Sequence, residues 1–110
     1  PEHRFPAWLD DAVAAYRWLL AEGHAAQDIA LGGDSAGGNL VRITLQQIRS
    51  ENLPMPGAAF CISPWACMAG ESASLVKNRE RDVMFAEHGV RALARYHVQE
   101  RDPRHPLLSP

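Results

Sequence analysis

The chain has 110 residues and a formal net charge of −2, with 11 Lys and Arg and 13 Asp and Glu spread along its length. A chain of this length forms at most one domain, and the mixed charge provides neither a basic face for nucleic acid nor a polybasic patch for a membrane surface. The sequence contains no apolar run near the roughly 20 residues of a membrane span and no apolar core of a signal peptide at its start. We therefore expect small or neutral partners.

Cys61 and Cys67 are the two cysteines of the chain. Neither belongs to a CxxC or a Cys/His set with the spacing of a zinc site, so we expect no metal. Disulfides are rare in reducing compartments. We predict two reduced thiols and a cytoplasmic location.

The first predicted element is a helix between Phe5 and Gly23. Leu9, Val13 and Tyr16 recur at steps of three and four, which is the period of a helix with one buried stripe. A proline suits the first turn of this helix, and the glycine suits its end.

Two short apolar runs, "IALGG" at 29–33 and "AAFCIS" at 58–63, predict buried strands, because each is too short for a helix and is bounded by turn residues. A second helix is predicted between them, from about Ala36 to Ser50. Helices alternating with continuously apolar strands indicate the α/β class, in which a parallel sheet is covered on both faces. We therefore predict a three-layer α/β/α arrangement.

Beyond Trp65 the sequence becomes mixed and weakly periodic. The stretch before residue 86 predicts an irregular crossing with little regular structure, and "KNRERD" (77–82) predicts a solvated face. A third helix is predicted from Ala86 to about Val98. The tail "ERDPRHPLLSP" contains three prolines and predicts a loop.

The segment "IALGGDSAGGNLV" places a glycine-rich turn between a strand and a helix. A phosphate-binding P-loop would need G-x-x-x-x-G-K-[ST], and no lysine is near. The glycine spacing differs from the dinucleotide pattern G-x-G-x-x-G. A chymotrypsin-like "GDS" serine would lie between antiparallel strands. The residues Gly33 to Gly37 match G-x-S-x-G, the nucleophile elbow, with Ser35 at its centre.

In such an elbow the serine occupies a strained turn, so that its hydroxyl projects above the sheet edge. We predict Ser35 to be the catalytic nucleophile. The residues two before and two after it, Gly33 and Gly37, are expected to approach so closely that only hydrogen fits. Gly38 is expected to let the helix approach the sheet.

The start of the following helix offers free N–H groups, and that of Ala36 is expected to bind the oxyanion formed on an attacked carbonyl. Asp34 is expected to stabilise the turn through local hydrogen bonds rather than to accept a proton.

Four motifs, "PEHRFPAWLDDAVAAYRWL", "GGDSAGGNL", "ISPW" and "DPRHPLLSP", follow one another as in the hormone-sensitive-lipase-like, GDSAG-type bacterial esterases of the α/β-hydrolase fold. The chain resembles a central part of that family along essentially its whole length. The resemblance implies a mostly parallel eight-stranded sheet with a helical cap, and hydrolysis of carboxylic esters of short to medium acyl chain without a metal or organic cofactor. It matches Ser35 to the nucleophile and the Ala36 N–H to one oxyanion donor.

The resemblance also implies how the chain is organised. Residues 1–64 would form a core segment with the elbow, and 65–110 a cap or crossing segment leading to the next core strand. Trp65 would lie near the catalytic edge, where it lines the substrate pocket or only packs. Arg42 and the absent Ser or Thr before the third helix depart from the expected pattern.

Further parts of the family's active site are expected outside these residues. The His-Gly-Gly oxyanion stretch would precede "PEHRFPA", and the acid and base of the triad would follow the tail, in the order Ser, Asp or Glu, His. The five histidines of this chain, with Asp82 and Asp102, are expected at surface or cap positions. They are His3, His24, His88, His97 and His105.

The sequence thus predicts a carboxylic ester hydrolase that forms an acyl-enzyme on Ser35, while the 110 residues alone are expected to be inactive or nearly so. Two alternatives stay open at this point. One is a lactone, amide or carbamate hydrolase on the same scaffold, because an elbow selects an acyl carbonyl and not its leaving group. The other is a non-enzymatic binding protein that keeps the hydrolase fold.

Overall fold

The structure, a computed structural model, describes residues 3–85 and 87–110, and the side chains at positions 87 and 88 lie outside that description. Four helices and two strands make up its regular structure in those ranges, with a single 3-10 turn at Ala26–Asp28. In chain order they are α1 (Ala7–Ala21), β1 (Ala30–Asp34), α2 (Ala36–Ser50), β2 (Ala58–Ile62), α3 (Ala73–Lys77) and α4 (Glu87–Val98).

The predicted elements agree closely with these bounds. The second helix, Ala36–Ser50, is confirmed residue for residue, and the first helix and both strands are confirmed to within about two residues. The third predicted helix ends at Val98 as expected, while its predicted first residue, Ala86, lies outside the described residues. The short helix α3 interrupts a stretch for which little regular structure was predicted.

The two strands form a parallel sheet that continues into the turn after β1. Ala30 pairs with Ala58, and the register runs to the pair Asp34 and Ile62. One residue further, the Ser35 N–H donates to the Ile62 carbonyl at 3.0 Å. The hydrogen bonding of the sheet therefore extends to the first residue of the turn.

Helix α2 packs on both strands, and α1 packs against α2. The Cys61 thiol lies 3.4 Å from the Gly38 carbonyl, which places this residue on the α2 side of the sheet. Phe60 and Ile62 point the other way and are 58% and 56% exposed. The prediction that both strands are buried is therefore wrong for this part of the chain, since none of its helices other than α2 packs broadly on them.

Two clusters of buried apolar side chains share neighbours. One joins α1 to α2, and the other joins the segment after β2 to α4 and the tail. Their members are Leu9, Val13 and Ile43 in the first and Met68, Val98 and Leu108 in the second. Phe5 and Trp8 pack against both clusters. Because Phe5 and Trp8 contact both clusters, and each fully buried Leu or Ile contributes about 1.5–3 kcal/mol, apolar packing ties residues 65–110 to the α/β segment.

Buried polar groups connect the loops to these clusters. The Tyr16 hydroxyl donates to the Pro54 carbonyl at 2.7 Å, and burial raises the pKa of this phenol above its usual value. In the tail, the Ser109 hydroxyl accepts from the Met68 N–H at 2.8 Å and donates to the Pro103 carbonyl at 2.7 Å. Across the described ranges, no helix is both long and apolar enough to traverse a membrane.

Candidate active site

Ser35 occupies the turn between β1 and α2 with φ +54° and ψ −114°. Such a conformation costs a non-glycine residue about 1–3 kcal/mol and persists only where its surroundings enforce it. Here the Ser35 N–H donates to Ile62, and its carbonyl accepts from the N–H groups of Trp65 at 2.9 Å and Asn39 at 3.2 Å. The backbone of Ser35 is thus held from both sides, while the residue itself stays exposed.

The glycines around Ser35 differ in the steric clash that a side chain at each position would cause. A Cβ on Gly33 would collide with the carbonyl group of Gly37 and lie 2.8 Å from the Gly38 nitrogen. A Cβ on Gly38 would lie 2.8 Å from the Pro64 Cβ, so this residue permits the close approach of α2 to the end of β2.

The expectation for Gly37 is wrong in these surroundings. A Cβ on Gly37 would meet nothing within 4 Å. The close approach between Gly33 and Gly37 exists, but it is the backbone of Gly37 that faces Gly33, while its missing side chain would point into open space. One of the two glycines is therefore required by sterics here, and not both.

Helix α2 begins at Ala36, directly after Ser35. The N–H groups of a first helical turn have no partner within the helix, and they lie at the positive end of the helix dipole. The first turn of α2 carries no acidic residue. The exposed Asp34 carboxylate makes no hydrogen bond to the described residues, so the expected local hydrogen bonds of this side chain are not observed. The Ala36 N–H is thus available to an anion beside Ser35.

Asn39 is a residue at this site that the sequence analysis did not single out. Its side chain is fully buried, and its Nδ2 donates to the carbonyls of Trp65 at 2.8 Å and Leu108 at 2.9 Å. The amide therefore ties α2 to both the segment after β2 and the tail. A signal was present, because Asn39 precedes buried Ile43 by one helical turn and is a polar residue in an apolar stripe.

A cavity of about 340 Å³ opens beside Ser35. The side chains around it are mainly apolar and come from the exit of β2, from α3 and from α4. The large apolar side chains among them are Trp65, Leu75, Phe85, Val90 and Leu93. Trp65 also packs against the cluster of Met68, Val98 and Leu108, so this residue both lines the cavity and contributes to the core.

Asp82 is the acidic residue among the cavity-lining side chains. Its Oδ1 accepts the N–H groups of Phe85 at 2.8 Å and Met84 at 2.9 Å. These backbone hydrogen bonds, that of Phe85 first, lower the pKa of the Asp82 carboxyl below its ordinary value. The carboxylate is therefore used to shape the turn that brings Phe85 to the cavity.

None of the described side chains supplies a base to Ser35, whose hydroxyl has no hydrogen-bond partner among them. His97 lies between aromatic rings, and His105 accepts the Leu107 N–H at 3.1 Å within a turn of the tail. His3 and His24 are exposed, one before and one after α1. The side chain of His88 lies outside the described residues. In the same ranges no group of three or more His, Cys, Asp or Glu could hold a metal ion.

Comparison with known proteins gives consistent matches over the whole chain. A family model described as alpha/beta hydrolase fold matches residues 1–110. An acetyl-hydrolase of Streptomyces hygroscopicus is 46% identical over 110 residues, which are 100% of this chain and 37% of that protein. The chain thus spans little more than a third of the length of this relative.

Solved structures show the same relationship. The crystal structure of EstE5 is 45% identical with a TM-score of 0.94, covering 100% of this chain and 37% of that one. An esterase of the bacterial hormone-sensitive lipase family is 44% identical with a TM-score of 0.95 and the same coverage. The expected resemblance and the partial α/β fold are confirmed.

Proposed function

Since this chain belongs to the α/β-hydrolase family, we propose that the protein containing it hydrolyses carboxylic esters, with Ser35 as the nucleophile. The observation that carries the proposal is the backbone of Ser35, held at a positive φ between β1 and α2 beside the first N–H of a helix. In this arrangement the hydroxyl is exposed and an oxyanion donor lies next to it.

The reaction follows from these groups. The Ser35 oxygen attacks the ester carbonyl, and the Ala36 N–H donates to the oxyanion of the tetrahedral intermediate. Collapse of the intermediate expels the alcohol and leaves an acyl-enzyme, which water then cleaves to the carboxylic acid. A base must take the hydroxyl proton and return it to the oxygen of the departing alcohol, and we propose that this base comes from residues other than those described.

The cavity supports a small substrate. Its volume of about 340 Å³ lies at the lower end of the range of ligand pockets, and its wall is mainly apolar. The acetyl-hydrolase among the relatives agrees with a short acyl group. We propose esters of short to medium acyl chain, no metal or organic cofactor, no nucleic-acid partner, and a capping role for residues 65–110. The two free cysteines support a cytoplasmic location.

The test uses the full-length protein, a fluorophosphonate probe and p-nitrophenyl esters of increasing chain length. Ser35→Ala is expected to abolish labelling and to lower kcat by a factor of about 10⁴ or more. Ser63→Ala is the matched control, since Ser63 also lines the cavity and also has a positive φ, of +42°. Labelling that survives in Ser35→Ala, or is lost in Ser63→Ala, would contradict the assignment.

The isolated 110-residue chain provides a second test. Because the described residues place no base against Ser35, we expect its turnover of p-nitrophenyl acetate to be lower than that of the full-length protein by about three orders of magnitude or more. Equal rates would show that the base lies within this chain.

A further inference from the structure

We propose that His97 is a positioning residue for the cavity beside Ser35 and that it acts through the indole of Trp65. The inference rests on the proposed function, because it takes this cavity as the place where the ester binds. His97 lies near the end of α4 and is not itself among the cavity-lining residues. Its effect on substrate must therefore pass through its neighbours.

Three aromatic rings meet the imidazole edge to face. The ring centroids are 6.0 Å apart for Trp65, 6.5 Å for Trp8 and 5.6 Å for Tyr96, with interplanar angles of 77°, 87° and 83°. Each such pair contributes about 0.5–1.5 kcal/mol beyond the area that it buries. Because Trp8 belongs to α1 and Trp65 follows β2, the imidazole joins α4 to two other parts of the fold.

The two tryptophans share a second property. The indole N–H groups of Trp8 and Trp65 are both buried and have no hydrogen-bond partner within the described ranges. A buried N–H without a partner costs about 1–3 kcal/mol. The imidazole of His97 is the ring that contacts both indoles, and its π face can receive an indole N–H. An aliphatic side chain would offer no such face.

The position of the Trp65 indole bears directly on the cavity. The backbone of Trp65 is held on both sides, since its N–H donates to the Ser35 carbonyl and its carbonyl accepts from the side-chain amide of Asn39. The contacts of the indole ring therefore determine the position of this part of the cavity wall. Leu93 and Val90 lie four and seven residues before His97, on the same face of α4, and they line the cavity as well. Loss of the imidazole would therefore displace both the Trp65 indole and the part of the cavity wall formed by α4.

The experiment compares kcat and KM for p-nitrophenyl acetate and butyrate in the full-length protein. His97→Ala is expected to lower the butyrate-to-acetate ratio of kcat/KM at least about fivefold, mainly through KM for butyrate. His97→Phe is expected to restore the ratio, because a ring again packs on Trp65. His97→Leu, which fills the volume without a ring, is expected to resemble His97→Ala and replaces it if that variant does not fold.

Two controls show through which residue the effect passes. His105→Ala makes the same change at a histidine of the tail that lies outside the cavity, and it is expected to leave the ratio unchanged. In a Trp65→Ala background, His97→Ala is expected to have no further effect on the ratio, because the two residues would act as one unit.

The two proposals fail in distinguishable ways. An unchanged ratio in both His97→Ala and His97→Leu would overturn the positioning role, while the function remains supported if labelling still depends on Ser35. An additive effect in the Trp65→Ala background would likewise overturn it. Labelling that persists in Ser35→Ala would overturn the proposed function and this inference together.

Discussion

The two glycines that flank Ser35 by two residues provide the most direct test of the elbow's geometry. The structure predicts opposite outcomes for the same substitution at these positions. A Cβ at Gly33 would overlap the carbonyl group of Gly37 and crowd the Gly38 nitrogen, whereas a Cβ at Gly37 would meet no atom within 4 Å. Gly33→Ala and Gly37→Ala therefore form a matched pair.

The magnitude follows from which atoms must move. The atoms that a Cβ on Gly33 would strike belong to the backbone of α2 and cannot rotate away. The clash can be relieved only if α2 moves away from the sheet, and α2 carries the Asn39 N–H that donates to the Ser35 carbonyl. Overpacking in a core costs about 1–3 kcal/mol, and we expect Gly33→Ala at the upper end or above it. Gly37→Ala is expected to stabilise by about 0.4–1 kcal/mol, because alanine loses less entropy in a helix.

Thermal unfolding of the two variants, followed by circular dichroism, measures the difference. In the full-length protein, where 1 kcal/mol shifts Tm by about 2–4 °C, a loss of about 3 kcal/mol in Gly33→Ala should lower Tm by about 6–12 °C, and Gly37→Ala should leave Tm unchanged or raise it slightly. Equal destabilisation by the two substitutions, or greater destabilisation by Gly37→Ala, would refute the steric reasoning.

Three further predictions concern the groups that support the site. Asn39→Asp removes both N–H donors of Nδ2 in a fully buried position, so we expect the free energy of unfolding in urea to fall by about 3 kcal/mol or more. Gln46→Ala is the control, because this exposed amide bonds the Pro106 carbonyl of the tail at 3.3 Å, and it is expected to cost less than about 0.5 kcal/mol. Tyr16→Phe leaves the Pro54 carbonyl unpaired and should cost about 1–2 kcal/mol in the same assay; no measurable change would contradict the buried hydrogen bond. Because the pKa of Asp82 is lowered in the folded protein, the ionised carboxylate contributes its full stabilisation at pH values above its ordinary pKa of 3.8. This stabilisation is lost as the pH falls through the lower pKa of the folded state. The Tm difference between wild type and Asp82→Ala should accordingly narrow between pH 7 and pH 3, and a constant difference would contradict the role of the carboxylate.

Most of the local structure could be predicted because it depends on short-range chemistry. The apolar steps of Leu9, Val13 and Tyr16 indicate a helix, and those positions are the buried ones of α1. The start of α2 could be predicted because a glycine-rich turn is followed there by apolar residues at helical spacing. The sharp turn at Ser35 could be anticipated in the same way, because the glycine that it requires, Gly33, lies two residues before the serine in the chain.

Other features depend on which segments meet. The sequence cannot show that Gly37 turns its open side outward, because that depends on the orientation of α2 against the sheet. The same holds for the exposed face of β2, where the apolar run containing Phe60 and Ile62 predicts burial but no helix of the described chain covers it.

The amino-acid sequence by itself determined the order of the elements, the turn that presents Ser35 and the resemblance to a family, because each depends on neighbouring residues or on motifs in order. Only the tertiary structure decided that Asn39 bonds two distant carbonyls and that His97 stands between Trp8 and Trp65. Those contacts join residues up to 89 positions apart in the chain. No local periodicity encodes such pairs, because their proximity arises from the packing of whole helices.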